Sequence, residues 1–123
     1  MDRKTIKEFE GLKDRVQAGS MMKLGIVVLW MISRKDRHGY EIVKVLNEDL
    51  MVRTATTSRI YPLLSEMEKT GLISQREIKD GKRKKKVYSI TKKGKEMLVL
   101  TKKYVKEMMK KKIMKDYAKW LMG

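Results

Sequence analysis

Five consecutive cations, Lys82, Arg83, Lys84, Lys85 and Lys86, run straight into Val87-Tyr88-Ser89-Ile90, whose alternation predicts a strand. Like charges this close repel one another, so the segment suits a dense counter-charge, of which a row of phosphates is the obvious case. A basic run is often no more than a solvated face. This one differs in its place, at a turn and the head of a strand. Alternate strand side chains point to opposite faces, so about three of the five could meet one phosphate chain. Arg83 is the candidate minor-groove probe.

A second cluster, Thr56-Thr57-Ser58-Arg59 followed by Tyr61, falls where a helix is expected to begin. Free N–H groups at a helix N-terminus attract phosphate. The Arg59 guanidinium could pair with both major-groove acceptors of a guanine. The plainer role of Thr56, Thr57 or Ser58 is to cap the helix. Tyr61 could pack its ring and still offer its hydroxyl to a phosphate. His38 is the one histidine and there is no cysteine, which makes a poor zinc set. No nucleophile with a base, metal set or phosphate loop is visible, so an enzyme is the least supported class and no cofactor is expected. His38 reads as a structural residue at a turn.

The elements that must position these clusters can be read from periodicity. Residues 4–17 predict a helix through Ile6, Phe9, Leu12 and Val16, and Gly19-Ser20 ends it. Met22–Ile32 is apolar nearly all round, which predicts a buried helix, with a strand over Ile26–Leu29 as the alternative. After a polar turn over Ser33–Arg37, a third helix opens at His38 and runs to about Leu50, with Tyr40, Val43 and Leu46 on one face beside Ile42 and Leu50. A fourth carries the stripe Ile60, Leu63, Leu64 and Met67, holds Pro62 in its first turn and ends at Gly71. Leu72–Ile78 and Val87–Ile90 predict a two-stranded ribbon turned at Asp80-Gly81. Of Val87 and Tyr88, one is expected to face the core and the other the outside. Thr91 is expected to cap a long final helix reaching at least Tyr117.

That helix repeats Val105, Met109, Ile113 and Tyr117 at spacing four, widened by Met97, Leu98, Leu100, Met108 and Leu121. A head of this size cannot cover so long a stripe, so a second subunit is the expected cover. From Lys92 to Lys119 eleven lysines face three acids, a like charge that opposes pairing unless the outer face meets a polyanion. A membrane surface is the less favoured alternative.

The whole chain agrees with this plan. Its 123 residues suggest one modest core, and 31 Lys and Arg against 15 Asp and Glu give a net charge of +16. Such a charge draws polyanions, nucleic acid first. The longest apolar run, Gly25 to Ile32, is far short of the ~20 residues needed to span a bilayer. The start lacks the apolar core of a signal peptide, so the expectation is a soluble, cytoplasmic protein without membrane contact. Helices, a short polar link, a basic ribbon and a long helix make a mainly α fold, a winged helix-turn-helix with a two-stranded β wing, an extra N-terminal helix and a C-terminal dimerisation helix. The divisions fall at 1–20 (dimer arm), 21–91 (winged head) and 92–123 (dimerisation helix).

"HGYEIVKVLNEDL", "SRIYPLLSEMEKTGLISQ" and "DGKRKKKVYSITKKGKEML" together resemble the PadR family of transcriptional regulators. The resemblance covers about residues 22–98, with His38–Ile42, Tyr61–Leu64, Glu68, Gly71–Ile73, Gly81, Lys82–Lys86, Tyr88, Ile90-Thr91 and Gly94 in the family's places. It implies a winged helix-turn-helix homodimer that binds double-stranded DNA and generally represses transcription. It also implies an N-terminal helix at the dimer interface and a possible small aromatic effector, with Trp30 as the nearest matching aromatic residue. Asp36-Arg37 stands where the family often has Gly-Pro, and Arg59 where it has a small hydroxyl residue, so the DNA contacts are expected to differ. The rival expectation is an architectural nucleic-acid-binding protein with little sequence preference.

Overall fold

The computed structural model describes residues 20–123 together with Arg3, Lys4 and Lys7. Those three residues are helical, and the rest of the predicted 4–17 helix lies outside the described residues. From Ser20 the order is α1 (Ser20–Arg34), β1 (Arg37–His38), α2 (Gly39–Glu48), α3 (Thr57–Lys69), β2 (Ile73–Asp80), β3 (Arg83–Ile90), α4 (Lys92–Met109) and α5 (Lys112–Met122). The architecture is the expected winged helix-turn-helix with one strand more than predicted. Arg37 and His38 pair with Tyr88 and Val87, so the antiparallel sheet has the order β1-β3-β2.

The core follows the predicted stripes. Leu24, Val28, Leu29, Met31 and Ile32 of α1 meet Ile42, Val43 and Leu46 of α2 and Ile60, Leu63, Leu64 and Met67 of α3. Ile73 and Tyr88 close the cluster from the sheet and Met97 closes it from α4. The strand alternative for Ile26–Leu29 is excluded, since α1 runs unbroken through it. Yet α1 is not buried all round: Trp30 is 55% exposed. Tyr40 and Leu50 also depart from the predicted face of α2 and are exposed.

Pro62 lies at the sixth residue of α3, one turn deeper than expected. It cannot donate to the Ser58 carbonyl, a loss that usually costs ~3 kcal/mol or more. The buried Ile60, Leu63, Leu64 and Met67 around it hold the helix regardless. Gly71 follows the Thr70 C-cap with φ +81°, the left-handed C′ conformation predicted. The wing turn is Gly81-Lys82, flanked by the Asp80–Arg83 pair. Only its first residue has positive φ (+65° at Gly81), the arrangement of a type II′ hairpin, which favours glycine there.

The final helix is two helices. Lys110 ends α4, and Lys111, with φ −69° and ψ 141°, is extended backbone before α5. Met97 and Leu100 are buried against the head, so they belong to the core and not to the exposed stripe; no residue of α5 is buried. Without packing, continuity rests on local propensity. Lys106 and Lys110, four apart, are like charges on one face just before the break, although Lys110 also reaches Glu107 at 3.0 Å.

Candidate nucleic-acid interface

The N-terminus of α3 is presented by a tightly tied link. The Asn47 side-chain amide donates to the carbonyls of Val43 (2.9 Å) and Ala55 (2.5 Å), and the Val52 N–H donates to Leu46 (2.9 Å). Ala55 is buried, and Met51 takes the left-handed conformation (φ 58°) to turn the chain. Thr56 is the N-cap residue, but its side chain makes no capping bond. Its Oγ1 lies 3.0 Å from the Ser58 Oγ instead. The predicted cap is therefore absent; the Arg59 and Ile60 N–H groups donate to the Thr56 carbonyl, which leaves those of Thr57 and Ser58 to a phosphate oxygen. Thr56, Thr57, Ser58 and Arg59 are all exposed, and Ile60 turns inward beneath them.

Tyr61 joins this end of α3 to the wing. Its side chain is 40% exposed and lies over Gly39. A Cβ on Gly39 would sit 2.8 Å from Tyr61 Cε1 and 2.9 Å from its hydroxyl, so any side chain there would make the Tyr61 ring shift. His38, Gly39, Tyr40, Tyr61 and the basic residues Arg83–Lys86 line one open cleft of about 690 Å³. The packing expected of Tyr61 agrees with its place over Gly39. His38 and Tyr40 were not foreseen as lining residues; their signal was their place directly beside the Gly39 contact.

The register sorts the basic run. Lys84 and Lys86 share the Tyr88 face of β3, opposite Lys79 and Glu77, whereas Arg83 and Lys85 share the Val87 face. Lys82 occupies the turn. Lys85 Nζ lies 2.8 Å from Asp80 Oδ2, and this contact, chiefly its hydrogen bond, holds the Asp80 carboxyl below the usual carboxylate range. Lys79, missed in the sequence, adds a cation to the Lys84 and Lys86 face; alternation outward from Ile73 points to it. The expected split of Val87 and Tyr88 does not hold, because both are only 4% exposed. β3 is the central strand, and its base is flanked by β1 on one side and β2 on the other. Burial raises the Tyr88 phenol above its ordinary value of 10.0, with Tyr61 and Glu68 adding to the shift.

Thr91 locks the wing to the helices. Its hydroxyl lies 2.6 Å from the Gly71 carbonyl oxygen and 3.0 Å from that of Leu72, and it accepts the Gly94 N–H at 3.1 Å as the N-cap of α4. Lys93 Nζ donates to the Thr70 carbonyl at the end of α3 (2.6 Å). Among the described residues no cluster of His, Cys, Asp or Glu could hold a metal ion, and no helix is long and apolar enough to cross a membrane.

The sequence profile of the transcriptional regulator PadR-like family matches residues 28–99. The chain belongs to this family. Among solved structures, it is similar to Bacillus subtilis PadR in complex with operator DNA, with TM-score 0.59 and 31% identity over 64% of this chain and 46% of that one. It is also similar to a PadR-like transcriptional regulator from Bacillus cereus, with TM-score 0.64 and 30% identity over 81% of this chain and 92% of that one. Among curated proteins, the transcriptional regulator YqjI of Escherichia coli is 40% identical over 63 residues, half of this chain and 30% of that one. The chain thus spans less than half the length of YqjI and of the operator-bound PadR.

A second surface of this PadR-like chain lies along α1 and α4. Ile26, Val27, Trp30, Leu98, Val99 and Val105 floor a groove of about 550 Å³, with Lys102 and Lys106 beside them. The Arg34 guanidinium stands 6.0 Å over the Trp30 ring, within cation–π range. Trp30 is therefore a groove residue and not a core one. Val105, Met109, Ile113 and Tyr117 are all exposed, and the break at Lys110–Lys111 divides them into two pairs. Tyr117 stacks on Trp120 at 6.0 Å.

Proposed function

We propose that this chain is a sequence-specific, double-stranded-DNA-binding transcriptional regulator that acts in the cytoplasm as a homodimeric repressor. The observation that carries the reading is the single cleft shared by the α3 residue Tyr61 and the basic strand Arg83–Lys86. It sets a helix N-terminus, with the Thr57 and Ser58 amides free, beside a row of cations, the pairing that seats a recognition helix in a major groove while a wing holds the adjacent backbone. Arg59 reads a guanine edge, and Thr56, Thr57 and Ser58 contact phosphate or base. Tyr61 and Lys82, Arg83, Lys84, Lys85 and Lys86 hold the backbone. The operator DNA bound by the Bacillus subtilis relative supports the same partner here.

Two heads pair through Val105, Met109, Ile113 and Tyr117, with the N-terminal segment 1–20 as a further arm. Trp30 contacts a small aromatic effector in the groove beside α4. Selection of genomic fragments by the purified protein at about 0.15 M salt tests the reading. Recovery of inverted repeats is expected; unbiased recovery would instead favour an architectural coater, which the net charge of +16 would also serve. If six phosphates are neutralised, log K falls against log salt with a slope of about −5. Replacing Lys82, Arg83 and Lys84 with glutamine makes that slope shallower by about one unit for each phosphate that is no longer neutralised.

A further inference from the structure

The wing reaches far from the core on a narrow base. Every β2 residue beyond Ile73 is exposed, and β1 contributes two paired residues only. A hairpin so lightly backed is marginally stable by itself. One side chain crosses the full width of this base. Arg76 of β2 reaches Ser89 Oγ on β3 at 2.8 Å and, by the same Nη1, Asp36 Oδ2 at 2.9 Å.

Asp36 lies just before β1, one residue ahead of Arg37, whose partner is Tyr88, and so stands level with Ser89. Arg76 is opposite Val87 and Val87 is opposite His38, which puts Arg76, Ser89 and Asp36 together on the Val87 face of the sheet. That is the face away from Tyr88, Lys84 and Lys86. Asp36 belongs to the segment that leaves α1, so the Arg76 contact ties the wing to the central helix of the head.

We infer that Asp36, Arg76 and Ser89 form a latch that fixes the direction of the wing, and that Asp36 is a positioning residue for DNA binding. The inference rests on the DNA-binding reading above. It makes a prediction opposite in sign to simple electrostatics. An acid near a polyanion repels it, so removing Asp36 should tighten binding unless the carboxylate holds the wing in place. In the latch, removal loosens the wing and weakens binding.

The test uses the full chain and its Asp36→Asn, Arg76→Asp and doubly swapped Asp36→Arg/Arg76→Asp variants. Affinity is measured for a fluorescent mixed-sequence duplex of about 30 base pairs, long enough for two half-sites one turn apart with flanks. Amide hydrogen exchange of residues 74–89 is measured without DNA. For a half-exposed pair the expected change is modest: D36N binds the duplex about three-fold more weakly and its wing amides exchange several-fold faster. The swapped pair restores both relative to Arg76→Asp alone. Equal or tighter binding by D36N, with unchanged exchange, would overturn the latch. If the unaltered chain bound no duplex, the DNA reading and the positioning role would fall together, and the exchange result would still tell whether the latch holds the wing.

Discussion

The head, from Leu24 to Leu100, buries most of its apolar side chains; the arm from Thr101 onward buries none. The two regions meet within one helix. In α4, Met97 and Leu100 are buried, whereas Tyr104, Val105, Met108 and Met109 are not. Helix propensity does not separate them, since both halves are helical. Packing does: the first half has a core to enter and the second has none. The arm holds apolar surface that none of the described residues covers.

That contrast can be broken most directly by matched truncations. Leu64→Ala in the head is expected to cost about 2–5 kcal/mol of unfolding free energy in denaturant titration. Leu121→Ala, on the exposed side of α5, is expected to change it by no more than about 0.5 kcal/mol in dilute protein. Similar losses would mean that the arm is part of the folded head. Gly39→Ala should follow, destabilising by about 1–3 kcal/mol as the new methyl meets the Tyr61 ring.

A sharper test acts on the arm alone. Val105→Glu with Ile113→Glu should weaken self-association at least ten-fold by sedimentation, a loss of about 1.4 kcal/mol or more. The melting temperature of dilute protein should not move. The smallest effect concerns the latch. The hydrogen bond from Arg76, then the contact with Ser89, holds the Asp36 carboxyl below its ordinary 3.8. A depressed folded value means that the contact is fully present above pH 3.8 and fades as the pH falls through the folded value. Wing amide shifts followed by NMR should report that fading, and Asp36→Asn should lack it.

Much of the head was legible because burial there follows period. Ile60, Leu63, Leu64 and Met67 mark a helix face, as their spacing predicts. Tyr40 carried the same spacing as Val43 and Leu46 and still turned outward. At the first turn of α2 it overhangs the cleft, where the Gly39–Tyr61 contact decides the geometry and no period can reveal it. Val87 was illegible for a related reason, since two paired residues of β1 were enough to cover it. The break at Lys110–Lys111 escaped because the apolar repeat continues across it. Among the described residues nothing is packed over α5 to hold the helix continuous there. In the candidate interface, residue types were visible but their sorting by face was not; that required the strand register.

Thr91 has a mechanical meaning. The end of α3, the root of the wing and the first turn of α4 all converge on its hydroxyl and on neighbouring Lys93. With that fulcrum, the short end of α4 is tied to the end of α3 and to the root of the wing. In a dimer joined through the arms, a change in how they cross would swing each head as one piece. The distance between the heads would change while the shape of each stayed the same.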